Sequence, residues 1–198
     1  HGLTYPVLAS EFQFLSDTER DVALRRVVTE AGGQVPVIAG VAAPSLAQAL
    51  PRARAAAEAG ASAVVALPPY VEKASRPQLF DYYAGIAEAT GLPVVVQHAP
   101  QGPGMDAAFL TQLFAEVPQV RYVKEEMEPS YHNLSALLAD KPPRCQGVFG
   151  GAFGRFMMTE LRRGATGFMP GADVVELHVA IWNAWQAGNE AEARAVFN

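Results

Sequence analysis

Short apolar runs alternate along the chain with longer segments whose apolar residues recur at three- and four-residue steps. The runs are Leu3–Leu8, Val35–Gly40, Ala63–Leu67, Pro93–Gln97, Val120–Lys124, Gly147–Gly150 and Thr166–Met169. Each has the length of a buried strand. Between them, Asp17–Ala31, Ser45–Ala59, Arg76–Ala89, Asp106–Glu116, Ser130–Leu138 and Ala152–Arg163 carry the helical period. Ser16, ahead of Asp17 and Glu19, and Ser45, ahead of an alanine-rich segment, read as helix starts, and Gly60, Gly91 and Gly164 fall where helices should stop.

Strands separated by single helices pair in parallel through right-handed crossovers, so the pattern predicts an α/β protein. A doubly wound sheet would carry a glycine-rich phosphate turn after its first strand, and Val7-Leu8-Ala9-Ser10-Glu11 has none. The prediction is therefore a (β/α)8 TIM barrel, with residues 1–198 forming a single domain. Only seven βα units are visible, whereas such a barrel has eight strands in roughly 250 residues. The chain is accordingly expected to be part of a longer polypeptide, lacking the first βα unit and some C-terminal helices.

Composition narrows the function classes. Half of the 198 residues are hydrophobic and 18% are charged, with a net charge of −5. That balance suits a globular core and provides no basic footprint for nucleic acid. No stretch approaches the roughly 20 apolar residues of a membrane span, so no membrane partner is expected. Cys145 is the only cysteine; a reducing, cytoplasmic setting follows as the expectation. The histidines His1, His132 and His178 share no ligand-like spacing with carboxylates, so neither a metal nor a cofactor is expected.

Lys124 is the residue that calls for explanation. It ends a buried strand and is followed at once by Glu125 and Glu126, whereas Lys73 and Lys141 lie in polar, proline-flanked stretches. A lysine withdrawn from water loses preference for its charged form and can act as a neutral nucleophile. A lysine reaching from a strand end to an ion pair with Glu125 or Glu126 fits the same position.

With Lys124 placed, several motifs resemble the dihydrodipicolinate synthase and N-acetylneuraminate lyase family of Schiff-base-forming barrel lyases. Gly2–Glu11 is similar to that family's second strand and its G-T-T-G-E turn. Leu67-Pro68-Pro69-Tyr70 resembles its T-P-Y-Y turn, and Leu92–Pro100 its L-P-I-I-L-Y-N-x-P strand. Tyr122-Val123-Lys124-Glu125 resembles its G-I-K-E strand, and Gly164–Gly167 its late G-A-x-G turn. The resemblance implies that Lys124 forms an imine with a pyruvate-like 2-keto acid. It also implies a homo-oligomer, because Tyr70 resembles a tyrosine that the family passes into a neighbouring subunit's site.

The departures fall on proton-handling positions. Leu8 and Ala9 stand where the family has paired threonines, Gln97 where it has a strand tyrosine, and Gly102 where the synthases carry an arginine. The segments around Ser10, Tyr70, Gln97 and Lys124 resemble 2-keto-3-deoxy-sugar-acid dehydratases, particularly the L-2-keto-3-deoxyarabonate type, although that subgroup usually has aspartate where His98 stands.

In this reading Lys124 attacks the ketone, and the iminium serves as an electron sink for either dehydration or retro-aldol cleavage. Glu11 and His98 are the candidate acid–base groups, with Tyr70 a further catalytic candidate. Ser10 and the backbone at Ala9 are expected to hold the substrate carboxylate. Gln97 is expected to position the substrate, the glycines Gly150 and Gly151 to line the site, and Arg155 to meet a distal carboxylate. An aldolase of the same family, including 4-hydroxy-tetrahydrodipicolinate synthase, and a non-catalytic carboxylate-binding member are the alternatives. Lys124 buried in a tight ionic contact with no adjoining space, or aimed at bulk solvent, would leave the architecture standing and the chemistry without support.

Overall fold

The computed structural model describes residues 1–198. Seven parallel strands run in chain order: β1 (Leu3–Tyr5), β2 (Val37–Gly40), β3 (Ala63–Ala66), β4 (Val94–His98), β5 (Val120–Glu125), β6 (Gly147–Gly150) and β7 (Gly167–Phe168). Helices α1 (Asp17–Ala31), α2 (Leu46–Glu58), α3 (Arg76–Thr90), α4 (Ala107–Glu116), α5 (Ser130–Ala139) and α6 (Met157–Leu161) make the crossovers. Two more, α7 (Val175–Gln186) and α8 (Glu190–Phe197), follow β7. Each strand pairs with its chain neighbours, and β1 and β7 each have one partner. The α/β expectation and the parallel order are both met.

Local sequence explains most boundaries. Ser16 and Glu19 form a reciprocal cap at the start of α1, with Ser16 N–H donating to Glu19 Oε2 at 2.9 Å and Glu19 N–H to Ser16 Oγ at 3.2 Å, which satisfies two otherwise free helix donors. Gly91 closes α3 in the left-handed region at φ 65°. The first strand is shorter than expected, ending at Tyr5, because Pro6 has no N–H to continue the ladder. The expected helix over Ala152–Arg163 is also interrupted. Ala152 and Phe153 take φ of 46° and 55° and Gly154 follows at 77°, so a tight turn precedes the five-residue α6.

Pairing register divides the sheet into two faces. Val64, Ala66, Val94, Val96, Val123 and Val148 pack outward against Tyr82, Ile86, Phe109, Leu113 and Leu134 of the helices in one continuous core. Alternation then puts Val65, Val95 and Tyr122 on the opposite, concave face, with Leu67, Gln97, Lys124 and Phe149 one layer further toward the strand C-termini. Tyr122 and Phe149 stack on that face at 5.3 Å. A separate small core joins α6, α7 and α8 through Met157, Met158, Leu161, Ile181 and Ala184, with Trp182 and Trp185 half-buried against it. The two tryptophans thus pack within the chain.

Candidate active site

Lys124 and Gln97 are directly paired across β5 and β4, so their side chains share the concave face at the strand C-termini. Lys124 is 6% exposed and Gln97 2%. Both reach Glu126, the next residue on that face after Lys124 in an alternating strand. Lys124 Nζ lies 3.1 Å from Glu126 Oε1, and Gln97 Nε2 donates to Glu126 Oε2 at 2.7 Å. The backbone extends the ladder one step past β5, with Glu126 N–H donating to His98 O at 2.7 Å. The turn after β6 completes the cradle: Ala152 N–H donates to Glu126 Oε1 at 2.8 Å. A Cβ on Gly151 would overlap the same carboxylate oxygen, so only glycine leaves room for Glu126 there.

His98 and Glu125 pair on the opposite face. His98 Nδ1 donates to Glu125 Oε2 at 2.8 Å, and His98 Nε2 accepts the Met105 N–H at 2.9 Å. The acceptor role of Nε2 fixes the neutral ring protonated at Nδ1. Glu125 Oε1 accepts the Met127 N–H at 2.8 Å, and the residue is 1% exposed. The expectation of His98 as an acid–base group is not met by this geometry: one-residue alternation turns it away from Lys124, and both ring nitrogens are occupied.

Glu160 of α6 lies behind Gly150 at the same end of the sheet. Its Oε1 accepts the Ser130 hydroxyl, its Oε2 has no partner, and it is 1% exposed. Burial pushes its carboxyl above the usual carboxylate range; the Ser130 hydrogen bond opposes that shift, and Glu125 and Glu126 add to it. Gly150 is buried, and Glu160 and Phe168 fill the space a Cβ would need.

The other expected site residues are not gathered at Lys124. Glu11 is exposed in a left-handed turn at φ 51°. Ser10 spends its proton on Val7 O at 2.9 Å while accepting the Val7 N–H at 2.8 Å, so its hydroxyl closes its own turn and is not free to donate to a carboxylate. Ala9 is exposed in that turn. Tyr70 is half-buried, edge-on to Phe12 at 5.7 Å. Arg155 is ion-paired with Glu128 and lies over the Phe156 ring at 4.6 Å, so its charge is already matched at the surface.

Lys124 is buried in an ionic contact with Glu126. Of the two best-formed hollows, one of about 300 Å³ lies against Arg76 and Phe109, and one of about 420 Å³ lies between α4 and α5 against Met105 and Asn133. Lys124 lines neither. No cluster of three metal-ligating side chains is present, and no helix is long and apolar enough to cross a membrane.

Sequence reasoning treated Glu126 only as a partner for the lysine and passed over Glu160. Two-residue alternation from Lys124 was the available signal for the first. A lone acid inside Met157-Met158-Thr159-Glu160-Leu161 was the signal for the second.

The dihydrodipicolinate synthetase family profile matches residues 2–198. The chain belongs to that family. It is 32% identical over 198 residues to an L-2-keto-3-deoxyarabonate dehydratase of Azospirillum brasilense, covering 98% of this chain and 64% of the relative. It is 31% identical over 196 residues to the probable 2-dehydro-3-deoxy-D-pentonate aldolase YjhH of Escherichia coli K12, covering 97% and 65%. The chain thus spans slightly under two thirds of the length of these curated relatives. Among solved structures it matches a prophage protein, YagE, of the dihydrodipicolinic acid synthase family from Escherichia coli K12, crystallised with pyruvate. That match has a TM-score of 0.90 at 22% identity, covering 99% of this chain and 67% of the other, and it shows the shared fold. The expected family is thereby established, and relatives in it carry the names of a dehydratase, an aldolase and a synthase.

Proposed function

We propose that this chain carries the imine-forming centre of a lyase that dehydrates a short 2-keto-3-deoxy sugar acid. The observation that carries the reading is Lys124, nearly fully buried at the C-terminal end of β5 on the concave face, where (β/α) barrels collect their chemistry. Its amine is the one lysine amine withdrawn from water, and Gln97 and Glu126 hold polar atoms around it. The dehydratase of Azospirillum brasilense, matched along almost the whole chain, supports water loss as the outcome. The unpaired edges of β1 and β7 support closure of the barrel by a further strand, as the greater length of the relatives also suggests. Tyr70, at the rim beside Phe12, is the residue through which a second subunit would complete the site.

Retro-aldol cleavage is the second reading, supported by the similarity to the pentonate aldolase. Incubation with L-2-keto-3-deoxyarabonate distinguishes the two. Dehydration leaves a five-carbon product and no pyruvate; stoichiometric pyruvate with a two-carbon aldehyde would establish cleavage.

A further inference from the structure

Resting on the imine reading above, we propose that Glu126 is the acid–base catalyst of this centre, moving the protons of Lys124 and of the substrate's C3 and C4 positions. The other carboxylates near the strand ends, and His98, lie elsewhere. Glu125 and His98 are locked together on the outer face. Glu160 is bonded to Ser130 behind Gly150. Glu11 is exposed on a separate turn. Glu126 alone places a carboxylate oxygen against Nζ, at 3.1 Å.

The site is also built around that carboxylate. Gln97 holds one oxygen and Ala152 N–H the other, and Gly151 omits the side chain that would displace it. Ala152 is held at φ 46° to aim its N–H, a left-handed conformation that costs about 1–2 kcal/mol for a residue with a Cβ. An ion pair of no further use would not need such support. Gln97 has no proton to give at neutral pH, and this arrangement gives it a role in aiming a neighbour that does.

The carboxylate takes a proton from the Lys124 ammonium, and the free amine adds to the C2 carbonyl. The amine's two surplus protons, ferried by Glu126, leave with the C2 oxygen as water, giving the iminium. Glu126 then removes a C3 proton; the C–H electron pair forms C2=C3 and the C=N pair returns to nitrogen. In the next step nitrogen re-forms C=N, the C2=C3 pair becomes C3=C4, and the C4–O bond breaks with its pair on oxygen. That oxygen leaves as water with the proton from the Glu126 carboxyl, which restores the carboxylate. A water molecule hydrolyses the iminium and frees Lys124. The ligand class is therefore a 2-keto acid with a CH2 at C3 and a hydroxyl at C4.

Exchange of the pyruvate methyl protons in D2O, followed by NMR, isolates the C3 step without any need for the natural substrate. Glu126→Gln keeps the shape but loses the base, and Glu126→Asp keeps the base but shortens the reach. The expected result is exchange about 100-fold or more slower in the Gln variant, with the Asp variant between it and the wild type, and with borohydride still trapping pyruvate on the Gln variant at alkaline pH. Exchange within a few-fold of wild type in the Gln variant, or a Gln variant faster than the Asp variant, would overturn the assignment, because a packing role favours the isostere. Failure of the wild type itself to give a borohydride adduct would instead overturn the imine reading on which this assignment rests.

Discussion

Gln97 and Lys124 face each other across the β4–β5 ladder, and both end on the two oxygens of one carboxylate, Glu126. A buried charge pair of this kind stabilises little on balance, because desolvation offsets most of the attraction, yet removing one partner is costly. Gln97→Leu leaves Glu126 Oε2 buried without a donor. A loss of about 1–3 kcal/mol in unfolding free energy is expected, with slower pyruvate exchange in the folded variant. Urea unfolding together with the exchange rate checks both, and an unchanged denaturation midpoint would refute the role given to this hydrogen bond.

Gly151→Ala places a methyl where Glu126 Oε1 lies. Displacing that carboxylate is expected to slow borohydride trapping about tenfold or more and to cost about 1–3 kcal/mol of stability. Gly104→Ala is the matched control, since a Cβ there meets nothing within 4 Å; equal effects from the two substitutions would count against the cradle.

His98→Ala strands Glu125 in the helix-facing layer. Loss of this hydrogen bond is expected to cost about 1–3 kcal/mol, while the imine yield per folded molecule stays near that of the wild type, because His98 faces away from Lys124. Calorimetry and trapping on the same sample separate the two effects. A stable variant that cannot be trapped would restore His98 to the chemistry.

Glu160 predicts a pH dependence of stability. Its carboxyl is held above the ordinary value chiefly by burial, so the unfolded chain releases that proton at lower pH than the native protein does. The native state then binds the extra proton, and stability attributable to this residue falls as pH rises past about 4.5, levelling once the folded group also ionises. Glu160→Gln removes this titration. Its melting temperature is expected to match the wild type most closely near pH 4 and to exceed it by a growing margin toward neutrality; a constant margin across that range would contradict the assignment.

Much of this was legible in the sequence. The seven strand cores, the Ser16–Glu19 cap and the placement of Lys124 at a strand end all follow from local periodicity and capping chemistry, which depend on residues near one another in the chain. The chemistry around Lys124 was less legible, because it depends on the face each side chain takes. Glu125 and Glu126 look equivalent in sequence, yet one residue of alternation sends the first to His98 and the second to Lys124. Ser10 reads as a free hydroxyl until its own turn claims it. The glycines Gly150 and Gly151 read as lining the site, whereas each makes way for a different buried carboxylate, Glu160 and Glu126. The break at Ala152–Phe153 was hidden because neither residue favours a left-handed backbone, and only the bond to Glu126 gives Ala152 a reason to adopt one.

The most direct measurement is reduction with borohydride in the presence of pyruvate, followed by peptide mapping of the adduct. The account predicts a single carboxyethylated lysine at Lys124, absent from Lys124→Ala. An unmodified Lys124 in folded protein, or modification spread equally over Lys73 and Lys141, would contradict it.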